Sequence, residues 1–219
     1  MKNRKFELII VLFSIACGIL TKDYFFGSIL LGCGLLNAYY ASLGRVSNYI
    51  YGGLYCLLSA CVCYKNGLFG IFLLSLILYF PLQIYGYFSW NKKRVDDKHV
   101  ELRQFSLRDS VIITFSCVIV SILFGLLLSK IPNQQLAFLD SSSNILNLCA
   151  VILMNFRYRE CWLVWLFNNI FDLSIWIINV INVSPNSFIM LIISIGYLLM
   201  NVYGYLNWKK IIVSKEDKL

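Results

Sequence analysis

The sequence predicts an all-helical integral membrane protein, in which one three-helix unit is used twice in the same orientation. A single connector helix joins the two units, and one extra helix precedes them. Three observations lead there. Of the residues 59% are apolar and 14% charged, with a mean hydropathy of +0.73, well outside the range of a soluble domain. Apolar runs long enough for spanning helices recur at about 6–20, 24–43, 47–64, 67–90, 109–129, 143–156, 160–182 and 187–208, without the alternation of barrel strands. The third observation is an internal repeat: Gln83–Trp90 (QIYGYFSW) and Asn201–Trp208 (NVYGYLNW) align without gaps.

Taken in order, Lys2–Lys5 and the first run resemble a signal peptide. They lack a small-x-small cleavage site, so an uncleaved helix over 1–22 is expected, with an interfacial helix as the alternative. Residues 23–90 form the first three-helix unit. Asn48 and Tyr49 open its second helix, either as cap and belt residues or as the rim of a pathway, and the pair Gly52–Gly53 allows close helix approach. In the third helix Pro81 predicts a kink whose freed backbone groups a cavity or partner must satisfy. The charged stretch 91–108 reads as a solvated cytoplasmic linker, 109–140 as connector helix and loop, 141–210 as the second unit and 211–219 as a cytoplasmic tail.

With all eight runs spanning and the N-terminus inside, the outer ends keep only Lys22, Lys65 and Lys130 of the 19 Lys and Arg residues. That is the positive-inside pattern, and it puts both termini in the cytoplasm. The net charge of +8 therefore reflects topology, not nucleic-acid binding. All eight cysteines fall inside apolar runs, where a thiol behaves as a small hydrophobe, and the single histidine, His99, lies in the charged linker. No metal site or cofactor is expected.

The stretch Cys161–Asn182 carries the chemistry. On a helical wheel Trp162, Trp165, Asn169, Asp172 and Trp176 fall within an arc of about 80°, opposite a face of Leu, Ile, Val and Phe. Amides and a carboxylate inside a membrane face a bundle interior or a water-filled cavity by default. The stripe is read as a substrate wall, although Trp162 alone also suits an interfacial belt and Asn169 could fasten helices. Gln83 and Asn201, as repeat mates, approach the same axis from two sides, either to bind solute or to bond across helices. Tyr49, Gly52 and Cys56 align with Trp162, Trp165 and Asn169. Parallel repeats of this kind place a transport site at their interface.

At these residues the chain resembles the PnuC family of vitamin and nucleoside transporters. The resemblance rests on Trp162-x-x-Trp165-x-x-x-Asn169, the approach Arg157–Glu160, Ser47-Asn48-Tyr49, and Tyr85-Gly86-Tyr87-Phe88-Ser89-Trp90, and it covers about residues 24–210. It implies a SWEET-like three-plus-one-plus-three fold and facilitated diffusion of nicotinamide riboside, trapped by a cytoplasmic kinase. It further implies a homotrimer in the plasma membrane, with Trp162, Trp165, Asn169, Gln83 and Asn201 at the substrate. Asn48 and Asp172 are further candidates, Asp172 lying beyond the family motif. Tyr55 stands where the family presents an amide, which leaves thiamine, riboflavin or deoxynucleosides as alternative cargo. A membrane enzyme is disfavoured, since no intramembrane His and no second acid accompanies Asp172. A membrane sensor or scaffold is the alternative of another class.

Overall fold

The computed structural model describes residues 2–93 and 102–216. Among them are eight long helices: α1 (Lys2–Leu20), α2 (Phe26–Ser42), α3 (Asn48–Lys65), α4 (Phe69–Lys92), α5 (Leu107–Leu128), α6 (Ala137–Asn155), α7 (Cys161–Ile181) and α8 (Ser187–Glu216). Five of these, α4 to α8, are long and apolar enough to cross a membrane. Helix α6 begins earlier than the apolar run announces, because Asp140, Ser141 and Asn144 belong to its buried face. Helix α8 runs on to Glu216, into the expected tail.

Helices α2, α3, α4, α6, α7 and α8 close into a ring. Within each unit the middle helix packs on both neighbours. Between units α2 packs on α8, and α4 on α6. Helix α1 lies against α2, and α5 lies in the same relation to α6. The likeness of the halves extends to the loops. Gly44 and Arg157, at the ends of α2 and α6, both adopt left-handed backbone with φ of 66° and 67°. Each donates its N–H to the carbonyl three residues back, Ala41 or Met154, the turn that ends a helix and reverses the chain.

The repeated Tyr-Gly-Tyr segments explain how the ring closes. Gly86 on α4 sits under the ring of Tyr49, and Gly204 on α8 under the ring of Trp162; a Cβ on Gly204 would fall 2.6 Å from that indole. The tryptophans that end these segments cross between units. Trp90 donates its indole N–H to the Met154 carbonyl and Trp208 to the Ala41 carbonyl, both at 3.1 Å. The two rings lie 6.0 Å apart. With Trp162, Met154 and Leu153 they form one buried apolar cluster. A second cluster, built on Leu30, Leu31, Ile175, Trp176 and Ile193, fills the opposite half.

Helix α4 is irregular. A π-helical turn over Ser75–Tyr79 precedes Pro81, so the break foreseen at Pro81 takes the form of one widened turn on its N-terminal side. Ser75 and Tyr79, both buried, point inward from it. Asp140 on α6 holds the start of α4, accepting from the Gly70 and Ile71 N–H groups at 3.0 and 3.2 Å. A carboxylate there satisfies donors that a helix start leaves unpaired.

The linker is not wholly solvated. Its residues 94–101 lie outside the described ones, but 102–106 are tied to the turn between α6 and α7. Arg103 donates its N–H to Arg157 and accepts from Arg159, each bond 2.9 Å. The Phe105 N–H reaches Glu160 at 3.1 Å, and its ring stacks on Tyr158 at 3.9 Å. Leu102 and Phe105 pack against the tryptophan cluster, which a freely solvated loop would not do.

The two glycine contacts yield a prediction. Gly86→Ala and Gly204→Ala each push a methyl into an aromatic ring and should destabilise the fold by about 1–3 kcal/mol, as overpacking does. Thermal unfolding of the purified variants reads this out; melting temperatures equal to wild type would mean that the rings have room to move.

Candidate functional site

Between the two apolar clusters lies a cavity of about 130 Å³. The stripe foreseen on α7 forms one wall, with Trp162, Trp165, Asn169, Asp172 and Trp176 all lining it. Gln83 from α4 and Asn201 from α8 line it too. Asn48 does not: it is fully buried at the start of α3, where its side chain donates to the Arg45 carbonyl at 2.7 Å. Of the two readings of Asn48, the geometry matches the helix-end residue, not the pathway rim.

The residues of the wall differ in what they offer. Trp162 is 1% exposed, clamped by Gly204 and lying 5.6 Å edge-on from Trp208. It is packed into the inner cluster more than it faces the cavity. Trp165 is half-buried, and its indole N–H donates to Asn147 on α6 at 2.9 Å, so its ring is held in one orientation. Asn169 donates to the Ser194 carbonyl at 3.2 Å and accepts from Asn201 at 2.5 Å. Asn201 therefore fastens α8 to α7 as well as lining the cavity. Asp172 accepts from Ser143 on α6 and from Asn168 at 2.9 Å.

The alignment of Gly52 with Trp165 acquires a physical meaning here. Where the second unit presents an indole, the first presents only hydrogen, and the amides of Gln83 and Asn37 occupy the space. A Cβ on Gly52 would fall 2.4 Å from Gln83 Oε1 and 2.5 Å from Asn37 Nδ2. Of the two segments aligned in sequence, one contributes aromatic surface and the other leaves room for hydrogen-bonding groups. Three polar atoms of the lining, Gln83 Oε1, Asn168 Oδ1 and Trp162 Nε1, are buried without a protein partner. Buried polar groups in native proteins are nearly always paired, so these atoms of the lining are places for a polar solute to bond.

Several lining residues escaped the sequence reading. Asn144 and Asn147 lie on α6, which looked merely apolar; the spacing Asp140, Ser143, Asn147, Val151, Met154 carried a helical signal that was available. Asn168 stands next to Asn169, outside the arc of the stripe. Tyr79 and Tyr197 come from α4 and α8 and join Tyr55 in the half of the cavity beside Asp172. Nothing in the sequence pairs Tyr55 with Tyr197, whose rings meet edge-on at 5.8 Å.

Comparison with known proteins places these features in context. The family model described as nicotinamide mononucleotide transporter matches residues 25–210. The nicotinamide riboside transporter PnuC of Neisseria mucosa is 27% identical over 199 residues, covering 89% of this chain and 75% of the relative. The protein of that name from Haemophilus influenzae is 29% identical over 182 residues, covering 82% and 76%. A crystal structure of the vitamin B3 transporter PnuC superposes with a TM-score of 0.85 at 25% identity, covering 96% of this chain and 92% of that one.

The hydrogen-bonded amides are separable by mutation. Asn169→Leu strips a partner from both Asn201 and the Ser194 carbonyl, whereas Asn201→Leu removes one bond. With each unsatisfied group costing about 1–3 kcal/mol, Asn169→Leu should lower thermal stability more than Asn201→Leu. The reverse order in a thermal unfolding series would contradict this bonding pattern.

Proposed function

The chain belongs to the nicotinamide mononucleotide transporter family, and from that premise we propose that its central cavity carries nicotinamide riboside across the plasma membrane. The family's description names the mononucleotide, while the relatives are named for the riboside. One observation decides between them: among the described residues no Lys, Arg or His lines the cavity, and its single charged lining group is Asp172. A phosphate dianion brought into such a site would meet no cation and one like charge. A riboside fits better, its base against Trp165 and its hydroxyls toward Gln83, Asn169 and Asn201. The aromatic wall, the unpartnered polar atoms and the repeat interface all support a carrier. A sensor or scaffold has no use for that combination.

On this reading all eight helices span, with both termini in the cytoplasm and the units forming a SWEET-like three-plus-one-plus-three arrangement behind the extra helix α1. Transport is facilitated diffusion and not enzymatic, and a cytoplasmic kinase traps the riboside by phosphorylation. The assembly is a homotrimer. Thiamine is the second reading, favoured over riboflavin or deoxynucleosides because it shares with nicotinamide riboside a cationic ring that Asp172 can oppose.

Uptake into proteoliposomes tests the proposal. Labelled nicotinamide riboside should equilibrate without an ion gradient and nicotinamide mononucleotide should stay outside; uptake of the mononucleotide at a comparable rate would refute the charge argument. Trp165→Ala should weaken riboside binding about ten- to hundredfold, the range expected for a lost base–aromatic stack. Gln83→Leu should impair binding by about 1–3 kcal/mol through a lost hydrogen bond. Wild-type affinity in both folded variants, by titration, would show that this wall does not touch the solute.

A further inference from the structure

The half of the cavity beside Asp172 has a chemistry of its own. The Asp172 carboxylate lines the cavity and is held on two sides, by the Ser143 hydroxyl and by the Asn168 amide at 2.9 Å. Two donors leave part of a carboxylate's capacity, about four lone-pair sites, unused. Four aromatic residues line the same space: Tyr55 from α3, Tyr79 from α4, Trp176 from α7 and Tyr197 from α8.

The Tyr79 hydroxyl is committed to the Asn144 carbonyl at 2.7 Å, and the Tyr55 and Tyr197 rings meet edge-on at 5.8 Å. Ring surface, whose electron-rich faces attract cations, is what all four residues offer a ligand. A buried carboxylate needs a counter-charge, and among the described residues the cavity lining supplies none. We propose that Asp172, Tyr55, Tyr79, Tyr197 and Trp176 form a cation cage that holds the positively charged heteroaromatic ring of the solute. This makes Asp172 the residue that sets charge specificity. The inference rests on the carrier reading above and deepens it: the cationic ring that stacks on Trp165 has its other side toward the cage, and the polyhydroxyl part points toward Asn169, Asn201 and Gln83.

Two ligand pairs of matched shape test it on the purified full chain. Nicotinamide riboside is compared with benzamide riboside, its uncharged carbon-linked counterpart, and 1-methylnicotinamide with nicotinamide. Wild type should prefer the cation of each pair by about tenfold or more, and Asp172→Asn should bring each preference within about threefold by weakening the cations alone. Tyr55→Leu, which removes one ring and leaves the acid, should likewise cost the cations more than the neutral partners, and it decides the matter should Asp172→Asn not fold. No preference in wild type, a preference that survives both substitutions, or equal losses for charged and neutral ligands would overturn the cage. If neither riboside binds to wild type, the substrate named above falls, and the smaller pair alone supports or overturns the cage by the same criterion.

Discussion

The structure depends on a reciprocal clasp. Trp90 at the end of the first unit bonds the last turn of α6, and Trp208 at the end of the second bonds the last turn of α2. In a medium that offers no water to an indole N–H or a carbonyl, such bonds have no cheap alternative. They fix where α4 and α8 lie against the opposite unit. Everything inward follows from that placement. Gly204 brings α8 onto the Trp162 ring, the Trp162 ring turns Trp165 toward the cavity, and Asn201, two turns above Trp208, is set against Asn169. The hydrophobic effect contributes little to helix pairing in lipid, so close packing on small residues and interhelical hydrogen bonds carry the arrangement.

Much of this was legible in the sequence because the repeat is written in residues that cannot be exchanged cheaply. Tyr-Gly-Tyr and its terminal Trp recur in both halves, since each glycine must admit a ring and each indole must find a carbonyl. The polar stripe of α7 was readable because amides and an acid are rare on an apolar helix. What was not readable depends on three dimensions. Asn48 turns back to donate to the Arg45 carbonyl just ahead of its own helix. Asn144, off the helical spacing of Asp140, Ser143 and Asn147, declares itself only once α6 faces α7. The anchoring of 102–106 rests on main-chain hydrogen bonds, to which the identity of Arg103 contributes nothing visible in advance.

The cavity is chemically asymmetric although the segments that clasp the bundle recur in the sequence. A glycine in one half answers a tryptophan in the other, and the acid of α7 has the hydroxyl of Ser59 on α3 as its counterpart. A pair of identical halves would present every group twice around the axis, which suits a solute with the same symmetry. A solute with a flat ring at one end and hydroxyls at the other requires that the halves diverge at the lining while agreeing at the clasp. The π-helical turn in α4 belongs to the same divergence: it brings Ser75 and Tyr79 inward at a place where α8 runs regularly.

The clasp also sets an order on biosynthesis. The carbonyl of Ala41 emerges from the ribosome well before its partner Trp208, which follows 167 residues later. Until then the groove on α2 that receives α8 stands open to lipid, and α4 waits in the same way for α6. The first half can insert and turn, but it cannot finish its own interior. Completion is a late event that involves the whole chain, and a nascent protein arrested before α8 would expose the surface on which a second copy could intrude in its place.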